Sequence, residues 1–200
     1  MARRTAEAAE RTRVAIVTAA RRLFASSGFA STSTSAVVEA AGVTRGALYH
    51  HFADKTDLFR AVFVQLEHEL NETVATAALA AGSARDALVA GCDACLEFMT
   101  RPEYHQIAVV DAPAVLGSQA WHDIDAGIGL ATMRVGLDAL AGEGGLRVPS
   151  TPALAILLFG ALTEAGIVVS RGQAGSPSRE ELLDALVGLV VSADDTVVGG

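Results

Sequence analysis

The chain has 200 residues, 51% of them hydrophobic and 19% charged, which excludes a disordered chain and is enough for a sizeable core. Its formal net charge of −8 would argue against a nucleic-acid partner if it were evenly spread. It is not: residues 1–60 hold nine of the 15 Lys and Arg residues against five acidic ones, so the rest of the chain carries the whole negative excess. A basic end on an acidic body suits a protein that brings one defined surface to phosphate, the plainer alternative being a chance excess on solvated helices. Arg3 and Arg4 lead into Glu7, Glu10 and Arg11 rather than an apolar run, so no signal peptide is expected. The longest uncharged stretch, residues 148–163, falls short of the roughly 20 residues a membrane span needs. A soluble, cytoplasmic protein with no membrane partner is expected.

In chain order, residues 11–27 place Ile16, Ala20, Leu23 and Phe24 at helical spacing, and Gly28 ends this first helix. Thr32, Ser33, Thr34 and Ser35 each offer an N-cap for the next helix. Val37, Val38 and Ala41 give that helix an apolar face, Gly42 supplies a positive-φ stop, and Thr44 caps a further short helix. Leu48 and Phe52, four apart, anchor it inward. Its opposite side carries Gly46 and His50, flanked by Ala47 and Tyr49, with Arg45 near the start. Two short helices around a tight turn, with small and hydrogen-bonding residues facing out, form a DNA-reading unit.

Asp54 with Asp57 resembles a capping box that opens a longer helix, striped by Phe59, Val62, Phe63, Leu66 and Leu70 and running to about residue 78. Ser83 with Asp86 opens another, and Pro102 and Pro113 are expected to act as stops. Residues 118–140 read as a helix weakened by Gly127, Gly129 and Gly136, followed by a Gly-rich loop at 142–145. Thr151 and Pro152 start a nearly all-apolar helix to about residue 170. After a loop at 172–177, Ser178 and Glu181 form a capping box for a last helix expected to end near Ala193. No segment alternates with period two. The class is all-α with about nine helices: an N-terminal three-helix domain, residues 1–54, containing the helix-turn-helix, then a larger bundle, residues 55–200. The last two helices are apolar on nearly every side, so burial against a second copy in a four-helix arrangement is expected; the alternative is two core helices of a monomer.

Phe24, Gly28, Phe29, Thr32, Ser33, residues 40–46, Leu48, Tyr49, His51, Phe52, Lys55 and Leu58 together resemble the N-terminal domain of the TetR (tetracycline repressor-like) transcriptional regulators. The pattern spans about a quarter of the chain. Residues 111–117 with Trp121 are similar to a segment of the ligand-binding domain in one branch of that family. The resemblance implies a homodimer on a palindromic double-stranded DNA operator, usually a repressor released by a small-molecule effector. By the same resemblance Ser33, Tyr49 and Lys55 would meet phosphates, and Thr44, Arg45, Gly46, Ala47 and His50 would lie in or near the major groove. The Arg45 fork matches the O6 and N7 acceptors of guanine, phosphate being its alternative partner. Thr34 stands where the family often has an apolar or basic residue, and Val38 where it usually has Ala.

The family also implies a ligand cavity, for which Phe98, Met99, Tyr104, His105, Trp121, Met133 and Phe159 are the candidates, Tyr104, His105 or Trp121 supplying polar handles. Glu164, alone among apolar residues, needs a partner or a wet interface. Cys92 and Cys95 form a C-x-x-C spacing inside a helix with no second pair, a pattern of buried core residues more than of zinc or redox chemistry. His105, Asp111, His122 and Asp125 are metal-capable without a fixed third ligand, so neither metal nor cofactor is expected. No catalytic motif is present, and an enzyme is not expected. The effector expected is apolar or amphipathic, acting through the helix from Lys55 as a lever. The competing classes are a sequence-indifferent architectural DNA protein and a helical enzyme with a regulator-like head.

Overall fold

A computed structural model of the chain describes residues 2–150 and 152–191. The order is α1 (Ala2–Ser31), α2 (Thr34–Ala41), α3 (Arg45–His51), α4 (Lys55–Leu79), α5 (Ala84–Met99), α6 (Pro102–Tyr104), a π-helical segment (His105–Asp111), α7 (Ala112–Leu116), α8 (Ser118–Gly142), α9 (Pro152–Arg171) and α10 (Arg179–Val190). With residues 102–116 taken as one irregular run, this is the all-α order of about nine helices expected.

Local chemistry explains most boundaries. Gly28 leaves the helical region at φ 74 and ψ 165, so α1 breaks there although its hydrogen bonding resumes for one more turn. Asp54 Oδ1 accepts the Asp57 N–H at 2.8 Å, and Asp57 Oδ2 accepts from Ala53 N–H at 3.0 Å, a capping box displaced by one residue. Ser83 accepts from Asp86 N–H at 3.1 Å, and Ser178 and Glu181 form the complete reciprocal box. One expected stop fails. Pro113 lies within helix, because the Ala112 N–H reaches back five residues to the Ile107 carbonyl. That wider π turn just before the proline moves away the carbonyl an ordinary α turn would press against its ring. The run ends instead at Gly117, φ 85. The last helix closes at Val190; its expected end near Ala193, like Thr151, lies outside the described residues.

The chain divides into two compact units, Met1–His68 with Pro102–Ile124, and Glu69–Arg101 with Asp125–Gly200. In the first, α1 packs on α2, α3, α6 and the π segment. Ile16, Phe24, Val37, Leu48, Leu58, Phe59, Val62 and Phe63 are all fully buried there, each contributing about 1.5–3 kcal/mol of burial. Phe24, Phe29 and Phe59 form a triangle of rings with centroids 5.2–5.7 Å apart. Directional bonds then join distant segments. Arg21 donates both arms of its guanidinium to Glu103 at 2.7 and 2.8 Å, Asp111 Oδ2 accepts the Phe29 N–H at 2.8 Å, and buried Tyr104 donates to buried Glu67 at 3.0 Å.

In the second unit α5 packs on α9, and α10 on both. Close approach at glycine is the recurring device. A Cβ on Gly129 would fall 2.6 Å from the Phe159 ring, and one on Gly166 would run into the Met99 thioether. Of the two metal-capable acids in question, Asp125 is buried and accepts from Thr163 at 3.4 Å, whereas Asp111 belongs to the first unit.

Candidate nucleic-acid interface

The helix-turn-helix is set by three short-range caps. Ser33 Oγ accepts the Ala36 N–H at 3.1 Å and so is the cap chosen from the four hydroxyl residues before α2. At the other end Gly42 takes φ 65 and ψ 32. Its N–H reaches Glu39 O at 3.1 Å and the Val43 N–H reaches Val38 O at 3.2 Å, the paired bonds of a Schellman stop. Thr44 Oγ1 then accepts the Ala47 N–H at 3.2 Å and starts α3 two residues later in the chain. A left-handed residue followed at once by a new cap makes the turn tight, and only glycine takes that φ without cost.

Burial of Leu48 and Phe52 orients α3. Thr44, Arg45, Gly46, Tyr49 and His50 are exposed and Ala47 half-exposed, so the candidate base-reading residues share one outward surface. A Cβ on Gly46 would meet nothing closer than Thr44 Oγ1 at 3.9 Å; the fold leaves room there that it does not use. The His50 and His51 rings lie 5.3 Å apart at the end of α3. Ser33 is exposed at the start of α2, its hydroxyl proton not consumed by the cap.

Two residues carry contacts the sequence does not announce. The Lys55 ammonium donates to Phe29 O at 2.9 Å and Thr32 O at 3.0 Å and sits 4.0 Å from the Phe29 ring centroid. It ties α4 to the turn between α1 and α2 and keeps one donor for another acceptor. The Tyr49 phenol is held below the ordinary value by the side chain of Thr34 first, then by that of Arg45, against desolvation. The Arg45 guanidinium lies 5.6 Å from the Tyr49 ring centroid. The only sequence signal for Thr34 is that it departs from the family pattern.

The ligand-pocket candidates divide between the units. Phe98, Met99 and Met133 are buried and Phe159 half-buried in the second. Tyr104, His105 and Trp121 belong to the first, where the Tyr104 hydroxyl is engaged by Glu67. Glu164 is exposed on α9. Cys92 and Cys95 are buried free thiols. Burial, reinforced by the charge of Asp93, pushes Cys92 up to about 12, and Cys95 Sγ contacts Met99 Sδ at 4.0 Å.

The description "Tetracyclin repressor-like, C-terminal domain" matches residues 85–192, and "Bacterial regulatory proteins, tetR family" matches residues 16–62. Two curated relatives align over a shorter stretch. The HTH-type transcriptional regulator AcrR of Shigella flexneri is 47% identical over 72 residues, covering 36% of this chain and 34% of that protein. The HTH-type transcriptional regulator TtgR of Pseudomonas putida is 46% identical over 77 residues, covering 38% and 36%. The chain thus spans about a third of the length of these relatives. A crystal structure of a tetR-family transcriptional regulator from Pectobacterium atrosepticum is similar over 91% of both chains, at 31% identity and a TM-score of 0.75. With its C-terminal match spanning more than half the residues and its N-terminal match lying on the helix-turn-helix, the chain belongs to the tetR family of bacterial regulatory proteins.

Proposed function

We propose that this chain is a sequence-specific DNA-binding transcriptional regulator, a homodimer that holds a two-fold symmetric operator and is released by an apolar or amphipathic small molecule. The observation that carries the reading is the outward face of α3, where Arg45, Gly46, Tyr49 and His50 are exposed while Leu48 and Phe52 are buried. A short helix so anchored, begun by a cap directly after a tight turn, suits insertion into the major groove. The basic excess of residues 1–60 supports phosphate contact by the same end. Ser33, Tyr49 and Lys55 would meet phosphates; Thr44, Arg45, Gly46, Ala47 and His50 would face the bases.

Dimerisation through α9 and α10 is supported by apolar surface. Ile156 and Leu157 on α9 are 58% and 71% exposed, and Leu189 on α10 is 67% exposed. Gly160 and Glu164 continue the first stripe, Ala185 and Gly188 the second. Two such stripes from two copies would form a four-helix contact with Glu164 at a wet position. α9 is also the one described helix long and apolar enough to cross a membrane, but Ala155, Leu158, Leu162, Ala165 and Gly166 are buried in the bundle, and a cytoplasmic protein is the reading we adopt. Phe98, Met99, Met133 and Phe159, all within the second unit, are the proposed effector-lining residues. A ligand shifts the DNA-bound population only by preferring one arrangement of the heads, for which α4 is the proposed lever.

Selection of bound sequences from a random DNA pool at near-physiological salt tests this. A two-fold motif is expected, with half-sites one helical turn or a multiple apart. Arg45→Ala should weaken that binding by about tenfold and leave the sedimentation coefficient of the dimer unchanged. Binding that tracks salt alone would favour the architectural alternative.

A further inference from the structure

We propose that Asp111, which lies outside the helix-turn-helix, is a positioning residue for DNA binding: its carboxylate holds the Phe29 N–H and so fixes the turn from which Ser33 meets phosphate. The inference rests on the head binding DNA with Ser33 among its phosphate contacts.

The turn between α1 and α2 begins with a break. Gly28, at φ 74 and ψ 165, leaves the helical region, and a ψ of that size swings the next N–H, that of Phe29, out of the helical direction. Within the turn, the Thr32 hydroxyl donates to Gly28 O at 2.8 Å and the Thr32 N–H to Phe29 O at 3.3 Å. Two further grips come from distant parts of the chain. Lys55, at the start of α4, donates to Phe29 O at 2.9 Å and Thr32 O at 3.0 Å. Asp111, the last residue of the π-helical segment, accepts the Phe29 N–H at 2.8 Å. Phe29 is thus held at its N–H and at its C=O by different elements, where a single bond would leave a pivot.

Asp111 is itself held in place. Gln106, one π turn earlier, donates to the same Oδ2 at 3.1 Å. That amide stands 3.3 Å from where a Gly28 Cβ would be, so glycine at 28 lets the segment come this close. Arg21 of α1 fastens the start of the same run through both arms to Glu103, at 2.7 and 2.8 Å. On the far side of the turn, Thr32 is buried, and Ser33, next in the chain, is exposed. The direction in which Ser33 presents its hydroxyl is therefore set by the turn behind it. Phe29 is half-buried, so water can take its N–H when the carboxylate is removed. The fold then keeps a hydrogen bond, and the turn loses a direction.

The test uses the full chain on an operator that it selects from a random DNA pool, with Asp111→Ala, Asp111→Asn and Ser33→Gly, glycine being tolerated as an N-cap. In the free protein, amide exchange followed by NMR should show protection of the Phe29 N–H lost in Asp111→Ala, with core amides such as that of Phe59 unchanged. Asp111→Asn should keep that protection, because one amide oxygen can accept both protons, and should bind the operator as the wild type does. Operator affinity should fall about two- to tenfold in Asp111→Ala, the worth of one hydrogen bond. Base preferences should stay as they are, and ethylation interference should fade at the phosphates where Ser33→Gly abolishes it. Adding Asp111→Ala to Ser33→Gly should weaken binding little further, since both act on one contact.

Tighter binding in both Asp111→Ala and Asp111→Asn would mean that the carboxylate acts through its charge, and would overturn the inference. So would protection lost across the core, an interference pattern left intact, effects that add in the double variant, or full affinity in an Asp111→Ala protein whose Phe29 N–H exchanges freely. Each of these leaves the regulator reading standing. A wild-type protein that selects no motif would overturn both.

Discussion

The two units share long-range polar bonds and differ in how closely their helices approach at glycine. In the first, long-range order rests on directional polar bonds: Arg21 to Glu103, the Phe29 N–H to Asp111, Lys55 to two carbonyls, Tyr104 to Glu67. The second has such bonds too, Thr132 to Asn71, the Ala84 N–H to Glu143 and Arg147 to the Val191 carbonyl, and adds close apolar approach, with Gly91 against Val74, Gly129 against Phe159 and Gly166 against Met99, while Arg179 makes partly exposed ion pairs with Asp93 and Glu97. A hydrogen bond fixes an angle as well as a distance, which suits a surface that must match a groove. Apolar packing fixes volume and tolerates sliding, which suits a body proposed to take up an apolar or amphipathic small molecule.

The largest effect should come from overfilling the second unit. Gly166→Ala forces a methyl group against buried Met99 and should cost about 2–3 kcal/mol, lowering the melting temperature by roughly 6 °C. A melting temperature equal to the wild type would show that the body yields more freely than its close contacts imply.

Next, Lys55→Ala removes two charge-assisted bonds and a ring contact from the head. It should cost about 2 kcal/mol before any DNA is added. If Lys55 served phosphate alone, stability would be unchanged and only the salt slope of DNA binding would fall, by about 1. The two readouts separate a turn clamp from a phosphate contact.

Gly46→Ala sharpens the contrast from the other side. The fold has room for the methyl group, so stability should change by no more than about 0.5 kcal/mol. Operator affinity should nonetheless fall about tenfold if this face meets base edges. Equal affinity would place the reading surface elsewhere on α3.

The smallest effect at neutral pH belongs to the cysteines. With Cys92 at about 12, the thiolate fraction at pH 8 is on the order of one in ten thousand, so alkylation should be slow in the native protein and fast in urea. The folded value lies above the ordinary thiol value of 9.0, so the stability linked to this proton is complete below pH 9.0 and lost as pH rises through about 12. Cys92→Ala should flatten that alkaline limb. Rapid native labelling at pH 8 would instead reveal an opening of α5.

How far the sequence was legible follows from the range of each interaction. Ser83, Thr44, Ser178 and Gly42 act within a few residues, and each cap and stop appears where it was expected. The inward anchors Leu48 and Phe52 were equally plain. Lys55 was not: its carbonyl partners lie 26 and 23 residues upstream, and a basic residue in a DNA-reading motif suggests phosphate first. Pro113 misled because proline chemistry forbids an α turn and says nothing of a π turn. Tyr104 was read as a polar handle for a ligand, and only the packing of the first unit brings Glu67, 37 residues away, to its hydroxyl.

The sequence by itself determined the helices, their caps, the tight turn and the side of α3 that is buried, because period, capping and glycine conformations are local properties. Tertiary structure decided which acids receive Arg21 and the Phe29 N–H and which carbonyls receive Lys55. Those are pairings between groups whose separation along the chain carries no information about their separation in space; only the packing of the intervening helices brings them together.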